Sequence, residues 1–211
     1  MIGRLMVWVP VLVLASSALA RQEAGEDSLA KTRRIKANMV RNLVFPDYTV
    51  WPPKTFENGR SPLVIGVLGA DPLQDDLDNA AKAEVPTKVE RKIRIVRDTD
   101  PAKLTSCHLV FISGSEKDRI KEVLKAFEGR PILTVGDTDG FAEQGVLINL
   151  VLKKTVVKVP DSDTGAVKEV TKTKVTLEIN LDAVDRLKAA GVTVTSRLLE
   201  LNFDKKVRDE K

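Results

Sequence analysis

One cysteine, one histidine and an aromatic content of 4% are what this 211-residue chain has least of. With Cys107 alone, no intrachain disulfide can form, so the fold must stand on its core. A single His108 leaves too few soft ligands for a zinc site. Neighbouring residues on a strand face opposite ways, so Cys107 and His108 do not make a nucleophile and base. No segment carries the spaced glycines of a dinucleotide loop or the glycine-to-Lys-Ser/Thr spacing of a phosphate loop. Phe111-Ile112-Ser113-Gly114-Ser115 lacks the glycine that precedes the serine of a nucleophile elbow by two positions. These absences argue against an enzyme and against a bound cofactor or metal. Blocks of like charge are missing too. The 34 basic and 30 acidic residues interleave to a net +4, a solvated mixed surface without the stripe of cations that binds nucleic acid.

What is present begins with an address. Arg4 supplies a positive start, Leu5 to Leu14 an apolar stretch, and Ala18-Leu19-Ala20 a small-residue cleavage site before Arg21-Gln22-Glu23. A signal peptide over 1–20, cut after Ala20, is expected. The apolar stretch is short of the roughly 20 residues of a membrane span, and it contains Pro10. Export follows, with a flexible 21–27 and one domain over 28–203. A charged tail over 204–211 is expected to be disordered at its end.

The domain reads as α/β. Ser28 is positioned to cap a helix to about Phe45, with Leu29, Ile35, Met39, Leu43 and Val44 on one face and Lys31, Arg33, Arg34, Lys36 and Arg41 on the other. Trp51-Pro52-Pro53 stops it, and Trp51 is the single indole beyond the leader. Leu63 to Leu68 is a continuous apolar run, and Pro72 suits the first turn of a helix to about Ala81. Val89 to Val96 alternates like an edge strand. Asp98 to Leu104 makes a short helical turn, His108 to Ile112 a buried strand and Glu116 to Phe127 a helix. Ile132 to Val135 is a buried strand, followed by a turn at Gly136 to Gly140, a helical turn at Phe141 to Gln144 and an apolar strand from Val146.

Lys153 to Thr176 reads as a long hairpin turning at Asp161 to Gly165. Asn180 or Asp182 then caps a helix closed by Gly191, and Ser196 caps a last one. Strands alternating with helices predict a mainly parallel sheet flanked by helices on both faces, with an antiparallel β-hairpin added late in the chain.

Ligands of such sheets sit beyond the carboxyl ends of the strands. Three ends can line one crevice: Gly69 to Asp71, Ser113 to Ser115, and Gly136 to Asp139. Gly69, Asp71, Ser113, Ser115 and Asp137 are its candidate lining. Asp137-Thr138-Asp139-Gly140 begins like a calcium loop but lacks the ligand ladder and the closing glutamate, so it is read as a structural turn in which Asp137 or Asp139 caps the Phe141 turn. Trp51 and the hairpin are the candidate partner contacts, with burial of Trp51 as the competing reading.

Ile35-Lys36-Ala37 through Asn42 to Trp51-Pro52, Val64 to Pro72, Cys107 to Glu116, Gly129 to Leu152 and Leu177 to Leu201 together resemble the YfiR family of exported bacterial proteins. The run GRPILTVGDTDGFAEQG followed by INL is the most specific part. The resemblance implies a periplasmic, non-enzymatic α/β regulator that tends to dimerise. It implies binding to the periplasmic part of an inner-membrane diguanylate cyclase or sensor kinase, which keeps cyclic-di-GMP output and biofilm formation low. The alternative is a small-molecule-binding accessory to a receptor or histidine kinase. The chain departs from the family in having one cysteine and a longer hairpin at Lys153 to Thr176.

Overall fold

A computed structural model of the chain describes residues 12–83, 91–160, 167–201 and 203–209, with side chains from Glu26 onward. The hairpin turn at Asp161 to Gly165 and the start of the expected strand at Val89 lie outside the described residues. The first element is one long helix, α1 (Leu12–Leu43), so in the full chain the backbone of 21–27 is helical and Ser28 caps nothing. The reason is local: Ala, Leu, Gln, Glu and Arg dominate from Ala18 to Ala24, and no proline interrupts between Pro10 and Pro46.

The buried stripe of α1 also differs from the expected one. Lys36, Ala37, Val40, Leu43 and Val44 face inward, whereas Leu29 is 68% and Ile35 38% exposed. Both stripes have helical spacing, and the choice between them is made by the sheet beneath. A two-residue strand β1 (Thr49–Val50) and a 3-10 turn at Pro53–Thr55 follow.

The sheet then builds through β2 (Leu63–Leu68), helix α2 (Asp75–Lys82), β3 (Ile93–Asp98), β4 (Leu109–Ile112), helix α3 (Ile120–Ala126) and β5 (Leu133–Gly136). It continues with β6 (Ile148–Pro160), β7 (Val167–Asn180), helix α4 (Leu181–Ala189), β8 (Thr193–Val194), helix α5 (Ser196–Leu199) and β9 (Phe203–Val207). The large sheet runs β3-β2-β4-β5-β6-β7-β9, with every neighbour parallel except the antiparallel hairpin β6/β7. A separate pair, β1 and β8, is antiparallel. The expected α/β sheet with a late hairpin is therefore the architecture found. β3 is the edge that its alternation suggested, and its side chains are only partly covered.

Alternation along the strands divides the core in two. Leu63, Ile65, Val67, Leu109, Phe111, Leu133 and Val135 face α1, α2 and α4. Val64, Leu68, Val110 and Ile112 face α3 with its Ile120, Val123 and Phe127. β2, β4 and β5 are covered on both sides, which is why the runs of β2 and β4 are continuously apolar.

Local caps correct several boundaries. Asp71 Oδ1 accepts from the Leu73 and Gln74 amides at 2.8 and 3.0 Å, so Pro72 sits in this turn and α2 starts only at Asp75. The stretch before α3 is a 3-10 helix, Gly114–Arg119, capped by Ser113. Asn180 caps α4 through the Ala183 amide at 2.8 Å, and Thr195, one residue before Ser196, caps α5. The charged 204–207 stretch is not a loose tail. It is most of β9, which pairs with β7 because Phe203 packs on the core and Asp204 meets Lys153 across the sheet.

Candidate functional site

Within β2 to β6 the spatial order β3-β2-β4-β5-β6 is 2-1-3-4-5 in chain order, so the topological switch point falls between β2 and β4. Gly69 and Ser113 leave those two strands side by side, as the sequence predicted. The space beyond them is filled by the chain itself. Ser115 Oγ accepts from the Ala70 amide at 3.0 Å and lies 3.1 Å from Glu116 Oε1 and 3.3 Å from Ser113 Oγ. Glu116 is buried, and its other oxygen is held by Arg119 Nε at 2.7 Å and Nη2 at 2.6 Å. Arg119 is itself anchored on the Thr99 carbonyl. Gly69 has φ +85°, and a Cβ there would lie 2.3 Å from Ser115 Oγ and 2.4 Å from Glu116 Oε1. Glycine is therefore required both for the turn and for the room that Glu116 occupies.

The remaining lining residues do not join this group. Asp71 turns away to its own cap and to Arg97 Nε at 2.7 Å. Asp137 Oδ2 accepts from Lys36 Nζ at 2.9 Å, with both side chains nearly buried. Lys36 thus lies on the inner side of α1, contrary to its expected place on the solvated face. The five residues named from sequence belong to three internally satisfied groups.

The Asp137-to-Gly140 turn is held by a residue that sequence reasoning passed over. Asn149, fully buried in β6, accepts from the Thr138 amide at 3.2 Å and donates to the Thr138 carbonyl at 2.8 Å. Neither Asp137 nor Asp139 caps the next turn, and Phe141 to Gln144 is a run of turns short of a helix. A polar residue inside the apolar stretch Val146 to Leu152 was the available signal, since a buried amide must find partners. Among the described residues, no three His, Cys, Asp or Glu side chains group to hold a metal.

At the opposite, amino end of the strands lies a cleft of about 340 Å³ lined by Val44, Thr49, Trp51, Phe56, Leu63 and Arg91. Trp51 is 5% exposed and its Nε1–H donates to the Pro131 carbonyl at 2.8 Å, so the indole plugs the fold and is not offered to a partner. His108 packs behind it, edge-on to Trp51 at 5.6 Å and stacked on Phe56 at 4.7 Å, while the Arg91 guanidinium covers Phe56 at 3.8 Å. His108 Nδ1 accepts from the Val64 amide at 3.1 Å, which leaves the proton on Nε2. Burial, and secondarily the Arg91 charge, push the imidazole down to about 4. Cys107 faces the other core layer as a buried free thiol pushed up to about 11 by desolvation, so it is no nucleophile at neutral pH. A second cleft of about 440 Å³ lies between α3 and α4, lined among others by Leu124, Phe127, Thr134, Leu147 and Arg186.

A family model described as YfiR/HmsC-like matches residues 33–159, more than half of the chain. The chain belongs to the YfiR/HmsC-like family. This is a family of periplasmic regulators rather than enzymes, acting with membrane signalling partners. The match ends at Val159, so most of the first arm of the hairpin is inside it and the second arm is outside. No curated protein matches the chain. Among solved structures it is similar to a conserved domain protein from Vibrio cholerae O1 biovar eltor (TM-score 0.43, 15% identity, 68% of this chain and 54% of that one). It is also similar to the ABC domain in complex with L-Trp from Streptococcus pneumonia (TM-score 0.48, 11% identity, 81% and 60%). The chain spans less than two thirds of either of those chains. No helix among the described residues is long and apolar enough to cross a membrane.

Proposed function

We propose that this YfiR/HmsC-like protein is a periplasmic, non-enzymatic regulator that works by protein contact. It binds the periplasmic sensor part of an inner-membrane signalling protein such as a diguanylate cyclase and restrains it, keeping cyclic-di-GMP and biofilm formation low. The family match over 33–159 carries this reading. The switch point supports it, because the place where such sheets receive a phosphate-bearing ligand is taken by the chain's own Glu116, already paired with Arg119. Deleting the gene is expected to raise cyclic-di-GMP and surface attachment, with restoration on complementation. Unchanged levels of both would count against the cyclase version. Mass spectrometry of the exported protein should find Arg21 as its first residue.

A second reading is a small-molecule-binding accessory to a receptor or histidine kinase. The apolar cleft of about 340 Å³ at the amino ends of the strands, with Arg91 at its wall, favours it, since its size is in the range of ligand pockets. A thermal-shift screen of periplasmic metabolites in which none moves the melting temperature would argue it down.

A further inference from the structure

β6 and β7 stay paired from Ile148↔Ile179 out to Pro160↔Val167, but the rest of the sheet does not follow them. β5 pairs with β6 only at Ile148 and Asn149, and β9 pairs with β7 only over Leu177 to Asn180. From Leu152 to Pro160 the outer edge of β6 therefore has no neighbouring strand among the described residues, and alternate backbone N–H and C=O groups along it face away from β7. An open edge of this kind is a template for another strand. The stretch is also chosen for extended structure, with Thr155, Val156, Val157 and Val159 in succession around Lys158. Leu152 and Val156 are 48% and 58% exposed, apolar surface on a two-stranded ribbon that covers neither face. Two-stranded ribbons are marginal in water without such cover.

The charge on this edge selects the occupant. β6 carries Lys153, Lys154 and Lys158 and no carboxylate between Ile148 and Pro160. Lys153 meets Asp204 of β9, whereas neither Lys154 nor Lys158 forms an ion pair among the described residues, Lys158 having only Glu169 across the hairpin from it. A second copy added edge to edge would set lysines against lysines, which like-charge pairing across a sheet disfavours. Phosphates of a lipid surface or a nucleic acid would neutralise the lysines but leave the ladder groups unpaired. Only a polypeptide does both.

We infer that the open edge of β6 from Leu152 to Pro160 is a docking strand for an extended, acidic segment of a partner protein, which adds to the sheet as a further strand. Main-chain hydrogen bonds along the edge supply the affinity, and acidic side chains opposite Lys154 and Lys158 set the register and exclude self-pairing. The inference rests on the reading of the protein as a regulator that acts by contact, and names the surface and the chemistry of that contact.

The test uses the exported full-length protein and a blocked nine-residue peptide alternating Glu and Val, followed by backbone amide hydrogen exchange. The peptide is expected to slow exchange across Leu152 to Val159. A K153E/K154E/K158E variant with an unchanged melting curve is expected to bind it at least about tenfold more weakly, through the loss of the two opposite-charge contacts at Lys154 and Lys158. The same peptide with alternate backbone nitrogens methylated cannot complete a ladder and is expected to leave exchange unchanged. Absence of slowing with the acidic peptide overturns the inference, as does equal binding by the methylated peptide. Capture by phosphatidylglycerol vesicles without any response to the peptide would overturn it in favour of a membrane surface. A triple variant that aggregates, from a parent that never binds peptide, would show that the lysines only guard the edge. In cells, a deletion that leaves cyclic-di-GMP unchanged while the peptide still protects β6 removes the cyclase reading and keeps the docking strand. A deletion phenotype fully complemented by the triple variant removes the docking strand and keeps the regulator.

Discussion

The two ends of the parallel sheet handle buried polarity in opposite ways. At the carboxyl end, Ser113, Ser115, Glu116, Lys36 and Asp137 are drawn in and paired, carboxylate against cation or hydroxyl. At the amino end the walls are aromatic and aliphatic apart from Arg91, and His108 is held neutral between Trp51 and Phe56 with its Nε2 unpartnered among the described residues. One end is therefore stabilised by specific pairs and the other by apolar burial. The difference teaches where a ligand could enter: displacing a paired Glu116 costs hydrogen bonds, whereas the amino-end cleft is already open.

The sharpest way to break the contrast is Trp51→Ala. It removes the largest apolar wall of the amino end together with the bond to Pro131, and about 3–5 kcal/mol of stability should go with it. Urea denaturation measures this, and a loss under 1 kcal/mol would show a far looser amino end than described. At the other end, Lys36→Met leaves Asp137 nearly buried without its cation, for an expected cost of about 3 kcal/mol. The double variant with Asp137→Leu should recover most of that loss. Gly136→Val is expected to cost about 2–3 kcal/mol, because even a Cβ at this position would lie 2.6 Å from the Phe141 ring and 3.3 Å from Asn149 Oδ1.

A smaller effect is pH-dependent. His108 has a folded value near 4, below the roughly 6.5 of an unfolded histidine, so the unfolded chain takes up its proton first. The stabilisation is fully present above about pH 6.5 and is lost as pH falls toward 4. A drop of about 2 kcal/mol between pH 7 and pH 4.5 is expected, and His108→Gln should flatten it. Since His108 is the only histidine, a variant with the same pH slope would assign the effect elsewhere. The smallest expected change is the control outside both ends. Val156→Thr on the exposed ribbon should stay within about 0.5 kcal/mol in the same denaturation series.

Much of the scaffold was legible because its signals are short-range. Leu63 to Leu68 and His108 to Ile112 read as buried strands, the second beginning one residue later in the fold, the Lys153 to Thr176 alternation as a hairpin, and Asn180 or Asp182 with Gly191 as the ends of α4, where Asn180 is the cap. Gly69, Ser113 and Ser115 lie together because the neighbouring parallel strands β2 and β4 end side by side. What the sequence concealed was which partner each polar group takes. Lys36 and Asp137 are far apart in the chain, and nothing local announces that they meet. The same holds for Glu116, which looks like any acidic residue in the first turn of a helix until the glycine at position 69 gives it somewhere to go. The 204–207 stretch looked like a tail because its charges hide a strand whose anchors, the edge of β7, the core beneath Phe203 and Lys153, are supplied by the rest of the fold.

Periodicity, turn residues and composition therefore determined on their own that this is an α/β domain with a parallel sheet, a late hairpin and a core that needs no disulfide. These follow from backbone sterics and from the burial of alternating or continuous apolar runs, and both act over a few residues. The tertiary structure alone decided that Glu116 occupies the space beside Gly69, that Trp51 is buried against Pro131, and that the β6/β7 hairpin outruns β5 and β9 to leave an open, lysine-bearing edge. Each of these depends on which distant groups come within hydrogen-bonding reach, a distance of about 3 Å that no spacing along the chain encodes.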